Sequence, residues 1–328
     1  MTRFSVLDLV PVVEGGSIGE ALVSAATLAQ AAERAGYHRF WVAEHHGMVG
    51  IASAATAVTL AHIGQATSTI RIGSGGIMLP NHSPFVIAEQ FGTLDALFPG
   101  RIDLGLGRAP GADGRIAQML RKDLMRAAEA FPSDVVELQA LFAGDPRLPL
   151  QATPGQGADI QIWILGSSLF GAQLAAMLGL PYAFASHFAP AALDQALALY
   201  RREFRPSERL AEPYAIAAIN VIAAASDAEA ALLGSSMDQA FVALRTGTPG
   251  RLKPPVEGYR QTIPPPALAM LESFREASAI GSPATVRARV GAFIARTGAD
   301  ELIFAGSTYD PAARVRSLEL AMDAVANL

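Results

Sequence analysis

The sequence predicts one α/β domain over residues 1–328, folded as a (β/α)8 TIM barrel with insertions after strands 4 and 7. Eight apolar segments rich in β-branched and aromatic residues alternate with Ala- and Leu-rich segments of helical pattern, the order expected of a closed parallel sheet surrounded by helices. A chain of 328 residues is long enough for a large single barrel. A doubly wound sheet usually has a glycine-rich turn after its first strand, and no such turn follows "FSVLDLVPV".

The strands are predicted where short apolar runs end at turn residues. They lie at residues 4–12, 39–44, 70–79, 101–107, 160–165, 182–187, 214–224 and 301–306.

Several helices between these strands have marked ends. Ser17 followed by Glu20 forms a capping box. Three more helices are predicted to begin where a cap residue precedes Pro at the first helical position, at Ser83-Pro84, Ser282-Pro283 and Asp310-Pro311. Gly36 and Gly298 stand where helix C termini are expected.

Two long connections interrupt the alternation, at residues 108–133 and 245–265. The second, "RTGTPGRLKPPVEGYRQTIPP", is rich in Pro and Gly and carries four basic residues against one acidic residue. Long connections without regular structure are uncommon in compact domains and are often functional, so we expect this segment to form a lid over a substrate.

The composition narrows the function classes. The net charge is −5 with no basic block, which argues against a nucleic-acid surface. The absence of cysteine excludes disulfides, thiolate metal sites and a cysteine nucleophile. Residues 160–186 lack charged side chains, but their Gly, Ser, Gln and Pro residues indicate strand, turn, helix and strand rather than a membrane span. With no signal peptide in "MTRFSVLDLV", we expect a cytoplasmic protein.

Polar residues concentrate at the C-terminal ends of the predicted strands, where a TIM barrel carries its active site. They are Asp8, Glu44-His45-His46, Ser74-Gly75-Gly76, Asn81-His82, Gly107-Arg108, Gly166-Ser167-Ser168, Ser186-His187 and Gly306-Ser307-Thr308.

The stretch "RIGSGGIML" interrupts the third strand with two adjacent glycines. Glycine weakens a strand unless something approaches the backbone closely. A β-bulge and a flat ligand lying on the chain both account for Gly75 and Gly76.

The "AEHH" sequence ends the second strand. Adjacent strand residues point to opposite faces, so His45 and His46 do not both enter the barrel while the strand stays regular. His46 then points the other way or sits on the turn. This argues against a two-histidine metal site, and we predict no metal. One histidine alone would usually be a half-buried structural residue, but a pair at this position favours function.

A phosphate site is predicted where the fifth strand ends in Gly166-Ser167-Ser168 and a helix begins at once. The helix start offers free N–H groups, and the serine hydroxyls add donors. Arg108, at the end of the preceding strand, supplies a cation. An ordinary serine cap and a surface salt bridge are the alternatives.

Two long stretches carry a family resemblance. "YHRFWVAEHHGMVGIASAATAV" and "IRIGSGGIMLPNHSPFVIAEQFGTLDALFPGRIDLGLGRAPG" resemble the bacterial luciferase-like flavin-dependent monooxygenases. "IWILGSSLFGAQLAAMLGLPYAFASHF" and "GSPATVRARVGAFIARTGADELIFAG" are similar to that family's middle and C-terminal parts. The resemblance implies a TIM barrel, commonly a homodimer, that uses reduced FMN and O2 to oxygenate a small organic substrate.

The resemblance also implies roles for individual residues. His45 is the candidate catalytic base or hydrogen-bond donor. Ser74, Gly75 and Gly76 would lie under the flavin ring around a peptide bond that is often cis. Arg108, Gly166, Ser167 and Ser168 would hold the phosphate. Since no nicotinamide fingerprint is present, a separate flavin reductase would supply the reduced FMN.

The sequence leaves other functions open. Luciferases have a cysteine before the arginine that ends strand 4, whereas Gly107 stands here, which argues against light emission. A barrel that uses the deazaflavin F420 for hydride transfer is one alternative, and a non-catalytic flavin-binding protein is another. A metal-dependent hydrolase is a third, for which the histidine arrangement is poor. The segment 245–265 matches the family's loop in place only, so the substrate does not follow from the resemblance.

Overall fold

The computed structural model of the chain describes residues 2–108 and 123–328, together with Met119. Nine strands lie within these described residues. They are β1 (Arg3–Asp8), β2 (Arg39–Val42), β3 (Arg71–Met78), β4 (Ile102–Gly107), β5 (Gln161–Gly166), β6 (Tyr182–Phe184), β7 (Ala215–Ala223), β8 (Ser278–Gly281) and β9 (Glu301–Ala305).

Eight of these strands close into a parallel barrel, which confirms the predicted TIM-barrel fold. The strand order is β1-β2-β3-β4-β5-β6-β7-β9, with β9 paired back to β1. All nine residues of β7 are buried, as are all of β2 and β9. Strands covered on both faces are mostly apolar, which is why the apolar runs identified them.

The helices surround the barrel in chain order. They are α1 (Ile18–Ala35), α2 (Thr56–Ala66), α3 (Pro84–Leu97), α4 (Leu124–Ala143), α5 (Leu169–Leu178), α6 (Leu193–Glu203), α7 (Asp227–Arg245), α8 (Tyr259–Thr262), α9 (Pro265–Arg275), α10 (Pro283–Thr297) and α11 (Pro311–Val325). None of the helices in the described part of the chain is long and apolar enough to cross a membrane.

Most of the predicted helix ends are observed. Ser17 and Glu20 form the full capping box, and the side chains of Ser282 and Asp310 accept backbone N–H groups of α10 and α11. Gly36 and Gly298 end their helices in the left-handed conformation. The exception is Ser83, whose side chain makes no capping hydrogen bond to α3.

The two predicted insertions are more regular than expected. Within 108–133, α4 already begins at Leu124, and residues 109–118 and 120–122 lie outside the described residues. After β7, the chain forms α7, α8, α9, the short strand β8 and α10 before the last barrel strand. The four residues of β8 pair with the end of β7 and were missed because "SAIG" is too short to show a strand pattern.

The segment 245–265 is tied to the barrel at its middle rather than being without structure. Leu252 N–H donates to Val12 O at 2.9 Å, and Glu14 N–H donates to Leu252 O at 2.8 Å. The carbonyl of Gly250 packs closely against Gly50, since a Cβ added to Gly50 would lie 2.2 Å from the Gly250 carbonyl oxygen. Its proposed action as a lid stays a prediction, and any motion must leave or break this attachment.

A buried network of charges fills the amino-terminal end of the barrel. The guanidinium of Arg39, 2% exposed, donates to Asp103 Oδ2 and to Glu301 Oε1, both at 2.8 Å. It also lies 4.7 Å from the ring centre of Trp163. Arg39, Asp103 and Glu301 stand at or next to the first residues of β2, β4 and β9. Because these side chains occupy this end, a ligand has to enter from the opposite, carboxyl end of the strands.

Candidate functional site

A buried carboxylate organises the loops that follow β2 and β3. Glu44, 1% exposed, accepts hydrogen bonds at Oε1 from His46 Nε2 at 2.6 Å and from His82 Nε2 at 2.8 Å. Its Oε2 accepts the Met78 N–H at 3.2 Å. Burial alone would raise the pKa of Glu44, but the hydrogen bonds from His82 and His46 outweigh burial and lower it. The carboxylate therefore stays ionised and holds both loops together.

Sequence reasoning did not bring these three residues together. β2 ends at Val42, so the rule that neighbouring side chains alternate no longer applies at His45 and His46. His46 lies on the turn and returns to Glu44. His82, after the neighbouring strand β3, completes the group. The signal that could have found it is that the C-terminal ends of adjacent parallel strands meet at one rim.

Glu44, His46 and His82 also have the composition of a cation site. Their potential ligand atoms all lie within 4.8 Å of one another, and two histidines with one carboxylate are a known ligand set for divalent metals. In the structure the three side chains bind each other instead. The expectation that the protein uses no metal stays a prediction.

His45 lies beside this group but outside its hydrogen bonds. Its ring makes no hydrogen bond to any of the residues that the structure describes. Burial lowers the pKa of His45 below the usual range, Glu44 acts in the opposite direction, and His46 adds to the lowering. The imidazole is consequently neutral near pH 7 and can accept a proton, as a general base must.

The Gly75–Gly76 peptide bond is cis, in agreement with what the resemblance implies. A Cβ on Gly75 would lie 2.7 Å from Leu7 Cδ1, and a Cβ on Gly76 would lie 2.6 Å from the Gly105 carbonyl oxygen. The pairing of β3 with β4 also shifts register between Gly75 and Ile77. Protein packing and a bulge therefore account for both glycines without a ligand, and contact of this backbone with a flavin ring stays a prediction.

The side chain of Ser74 is already engaged. Ser74 is fully buried, its hydroxyl donates to Gly105 O at 2.9 Å, and it accepts the Gly105 N–H at 3.0 Å. These bonds join β3 to β4, so the hydroxyl is not available to a cofactor. In the proposed site, Ser74 therefore contacts the cofactor only through its backbone.

The residues predicted to hold a phosphate lie close together at the start of α5. Ser167 and Ser168 are exposed, and Ser168 precedes the helix without using its hydroxyl as a cap. The Arg108 guanidinium lies 4.0 Å from the ring centre of Phe170, in the first turn of α5. Arg108 forms no ion pair with the described residues. The uncapped N–H groups, two free hydroxyls and a nearby cation are the donors that a phosphate monoester requires.

Other polar residues at the strand ends have structural partners. Asp8 Oδ1 accepts the Val10 N–H at 2.8 Å and the Arg314 guanidinium at 2.7 Å. The Ser186 hydroxyl donates to the Ala218 carbonyl on β7. These contacts fix loop conformations, whereas His45 and the start of α5 keep polar groups that have no protein partner among the described residues.

Comparison with known proteins identifies the family of this chain. The family described as luciferase-like monooxygenase matches residues 2–301. A "Luciferase-like monooxygenase" of Escherichia coli (strain K12) is 52% identical over 321 residues, covering 98% of this chain and 96% of that protein. An N-acetyl-S-alkylcysteine monooxygenase of Bacillus subtilis (strain 168) is 39% identical over 196 residues, covering 56% of this chain and 57% of that protein.

Solved structures show the same fold with two types of cofactor. Apo-MsnO8 superposes with a TM-score of 0.92 at 35% identity, covering 99% of this chain and 98% of that chain. Two more distant structures share the fold. One is the oxygenating constituent of 3,6-diketocamphane monooxygenase of Pseudomonas putida with FMN, at a TM-score of 0.71 and 17% identity, covering 97% of this chain and 96% of that one. The other is an F420-dependent secondary alcohol dehydrogenase, at a TM-score of 0.72 and 16% identity, covering 99% of both chains.

Proposed function

The chain belongs to the luciferase-like monooxygenase family, and from this we propose that it is an FMN-dependent monooxygenase that oxygenates a small organic substrate with O2. The single observation that supports FMN as the cofactor is the uncapped start of α5 with Arg108 beside it. In this proposal the phosphate of FMN binds Ser167, Ser168 and Arg108, with the backbone of Gly166 next to it. When bound in its reduced form, FMN supplies the electrons for the activation of O2.

The other site residues orient the cofactor and move protons. The backbone of Ser74, Gly75 and Gly76 would lie against the flat ring at the rim of β3. His45 would accept or return a proton at a ring nitrogen beside that ring. Glu44 would position the loop that carries His45 through its bonds to His46 and His82.

Replacing Arg108 by Ala is expected to weaken FMN binding by about 10- to 150-fold. A charge-assisted hydrogen bond to phosphate contributes about 1.5–3 kcal/mol, which corresponds to that range of affinity. Fluorescence titration with FMN measures the change. Arg147→Ala is the control, because Arg147 pairs with Asp145 in the loop before β5, at the amino-terminal end of the strands and away from the start of α5. An Arg108→Ala variant with unchanged affinity would move the phosphate elsewhere.

The choice between cofactors is tested directly. The purified protein is titrated with FMN and with F420, and then reduced FMN, O2 and candidate substrates are added. Preferential binding of FMN and oxygen incorporation into a substrate support the proposal. Tight binding of F420 with hydride transfer to a carbonyl compound would favour the F420-dependent alternative, whose support is the shared fold. FMN binding without reaction would favour a flavin-binding protein.

Two partners complete the proposal. A separate reductase in the cytoplasm would supply reduced FMN. A second copy of the chain would cover α2 and the exposed apolar residues of α3, two helices that pack side by side. The sequence of α2, "TAVTLAHIGQA", has no charged residue, yet Val58 is 71% exposed there. Val86 and Leu97 of α3 are also exposed.

Replacing Val58 by Asp is expected to dissociate this homodimer. A two-fold axis brings the new charge into the interface from both subunits, and burying unpaired charge should raise the dissociation constant at least about tenfold. Light scattering across a dilution series measures the change. Val136→Asp, on the exposed face of α4, is the matched control. A wild-type monomer, or a Val58→Asp dimer of normal strength, would contradict this interface.

A further inference from the structure

His187 follows β6 and carries a polar atom that nothing satisfies. Its Nδ1 is buried and has no hydrogen-bond partner among the residues that the structure describes. Its backbone is held in place, because Asn220 Nδ2 of β7 donates to the His187 carbonyl at 2.7 Å. A buried polar atom without a partner is unfavourable, so this nitrogen calls for an explanation.

The position of His187 relates it to the candidate site. β2 and β6 lie four strands apart in the ring of eight, so their C-terminal ends face each other across the barrel. His45 follows one of these strands and His187 the other. Burial lowers the pKa of His187 to about 4, and the electrostatic effect of His45 acts in the same direction. His187 is therefore neutral at physiological pH.

The neighbours of His187 are engaged elsewhere and leave its buried Nδ1 unsatisfied. The Ser186 hydroxyl is engaged by Ala218 O. The Arg245 guanidinium, at the end of α7, lies 4.7 Å from the Phe188 ring centre and 5.2 Å from that of Phe241. Arg245 also donates to the Phe188 carbonyl at 3.4 Å. The loop thus presents a neutral hydrogen-bonding atom beside aromatic surface, and its nearby cation is already packed.

We propose that His187 Nδ1 is a substrate-recognition site that hydrogen-bonds the polar atom of a neutral organic substrate held between the ends of β2 and β6. The substrate class is an apolar molecule with a carbonyl or hydroxyl group rather than a carboxylate or phosphate. This inference rests on the proposed function, since it places the substrate opposite His45. A neutral imidazole suits such a group, because it offers one hydrogen bond without requiring a counter-charge.

The test uses the FMN-loaded protein with 15N-labelled histidine and three probes that share a six-membered carbon ring: cyclohexanone, cyclohexanol and cyclohexane. The chain has six histidines, and the His187→Phe variant assigns the resonance. We expect the two polar probes to shift the Nδ1 resonance of His187 and cyclohexane to leave it unchanged. For each polar probe, the ratio of its affinity to the affinity of cyclohexane should be about 5- to 10-fold higher in wild type than in His187→Phe.

Two further variants distinguish recognition from structure. Asn places an amide near the position of Nδ1, whereas Gln places it near Nε2, so His187→Asn should retain the preference for polar probes and His187→Gln should lose it. Because His187→Phe removes an unsatisfied nitrogen, its melting temperature without FMN should be unchanged or raised. If His187 were only structural, its loss would lower the melting temperature.

The outcomes separate this inference from the proposed function. Failure to bind FMN would overturn the proposed function, and the same probes added to the FMN-free protein would still test His187. The inference is overturned if no polar probe shifts the His187 resonance, or if His187→Phe keeps the preference for polar probes. Should His187→Phe not fold, the contrast between Asn and Gln decides by the same criterion.

Discussion

Replacing Arg39 by Met is expected to lower the free energy of unfolding by about 3–5 kcal/mol, because breaking a buried ion pair leaves a buried charge uncompensated. Glu301 is fully buried and would lose its cation, whereas the buried Asp103 would keep its ion pair with Arg71 at 2.6 Å. Burial alone would lower the pKa of Arg39, but these two carboxylates outweigh it and raise it. Methionine would fill the space beside Trp163 without replacing any of the hydrogen bonds.

Urea unfolding followed by circular dichroism measures this loss. Arg202→Ala is the control, since Arg202 pairs with Glu203 on the surface of α6 and should change little. The double variant Arg39→Met and Glu301→Gln should recover part of the stability, because it removes Arg39 together with the carboxylate left unpaired, while Asp103 keeps Arg71. If Arg39→Met unfolds like wild type, water must reach the Glu301 carboxylate, and the amino-terminal end of the barrel is then not closed as described.

The barrel was predictable from sequence because its strands are buried on both faces. Runs such as the one that forms β7, which is apolar except for Asn220, alternate with helical segments at a spacing that specifies the closed sheet. The strand ends were less predictable. The predicted strand at 39–44 includes Ala43 and the charged Glu44, which follow Val42, where β2 ends.

The candidate site was predictable where residues of neighbouring segments are brought together by topology alone. Arg108 and Ser168 follow the adjacent strands β4 and β5, and the structure places Arg108 over the first turn of α5. Which atoms are free could not be predicted. The hydroxyl of Ser74 is bound by Gly105, and Glu44 takes up His46 and His82. These outcomes depend on side-chain directions and register that a one-dimensional pattern does not contain.

Replacing His45 by Ala is expected to reduce turnover by about 10²–10⁴-fold, the usual contribution of a positioned acid or base. FMN affinity should change little, because the phosphate donors lie at the start of α5. Rapid mixing of the reduced FMN complex with O2 and substrate measures turnover. His46→Ala is the matched control. His46 donates to Glu44 at 2.6 Å, so its loss should act mainly on stability.

The pH dependence provides a second readout for His45. A base works only when it is unprotonated, and burial lowers the pKa of His45 from a reference of about 6.5. Activity should therefore stay constant as the pH falls to about 6.5 and decline only below it, when His45 takes up a proton. That acid limb should disappear in His45→Ala and remain in His46→Ala. If the two variants exchange effects, the proton is handled by His46 and Glu44. If neither slows turnover, catalysis is not centred on the end of β2, and the role of a flavin-binding protein gains support.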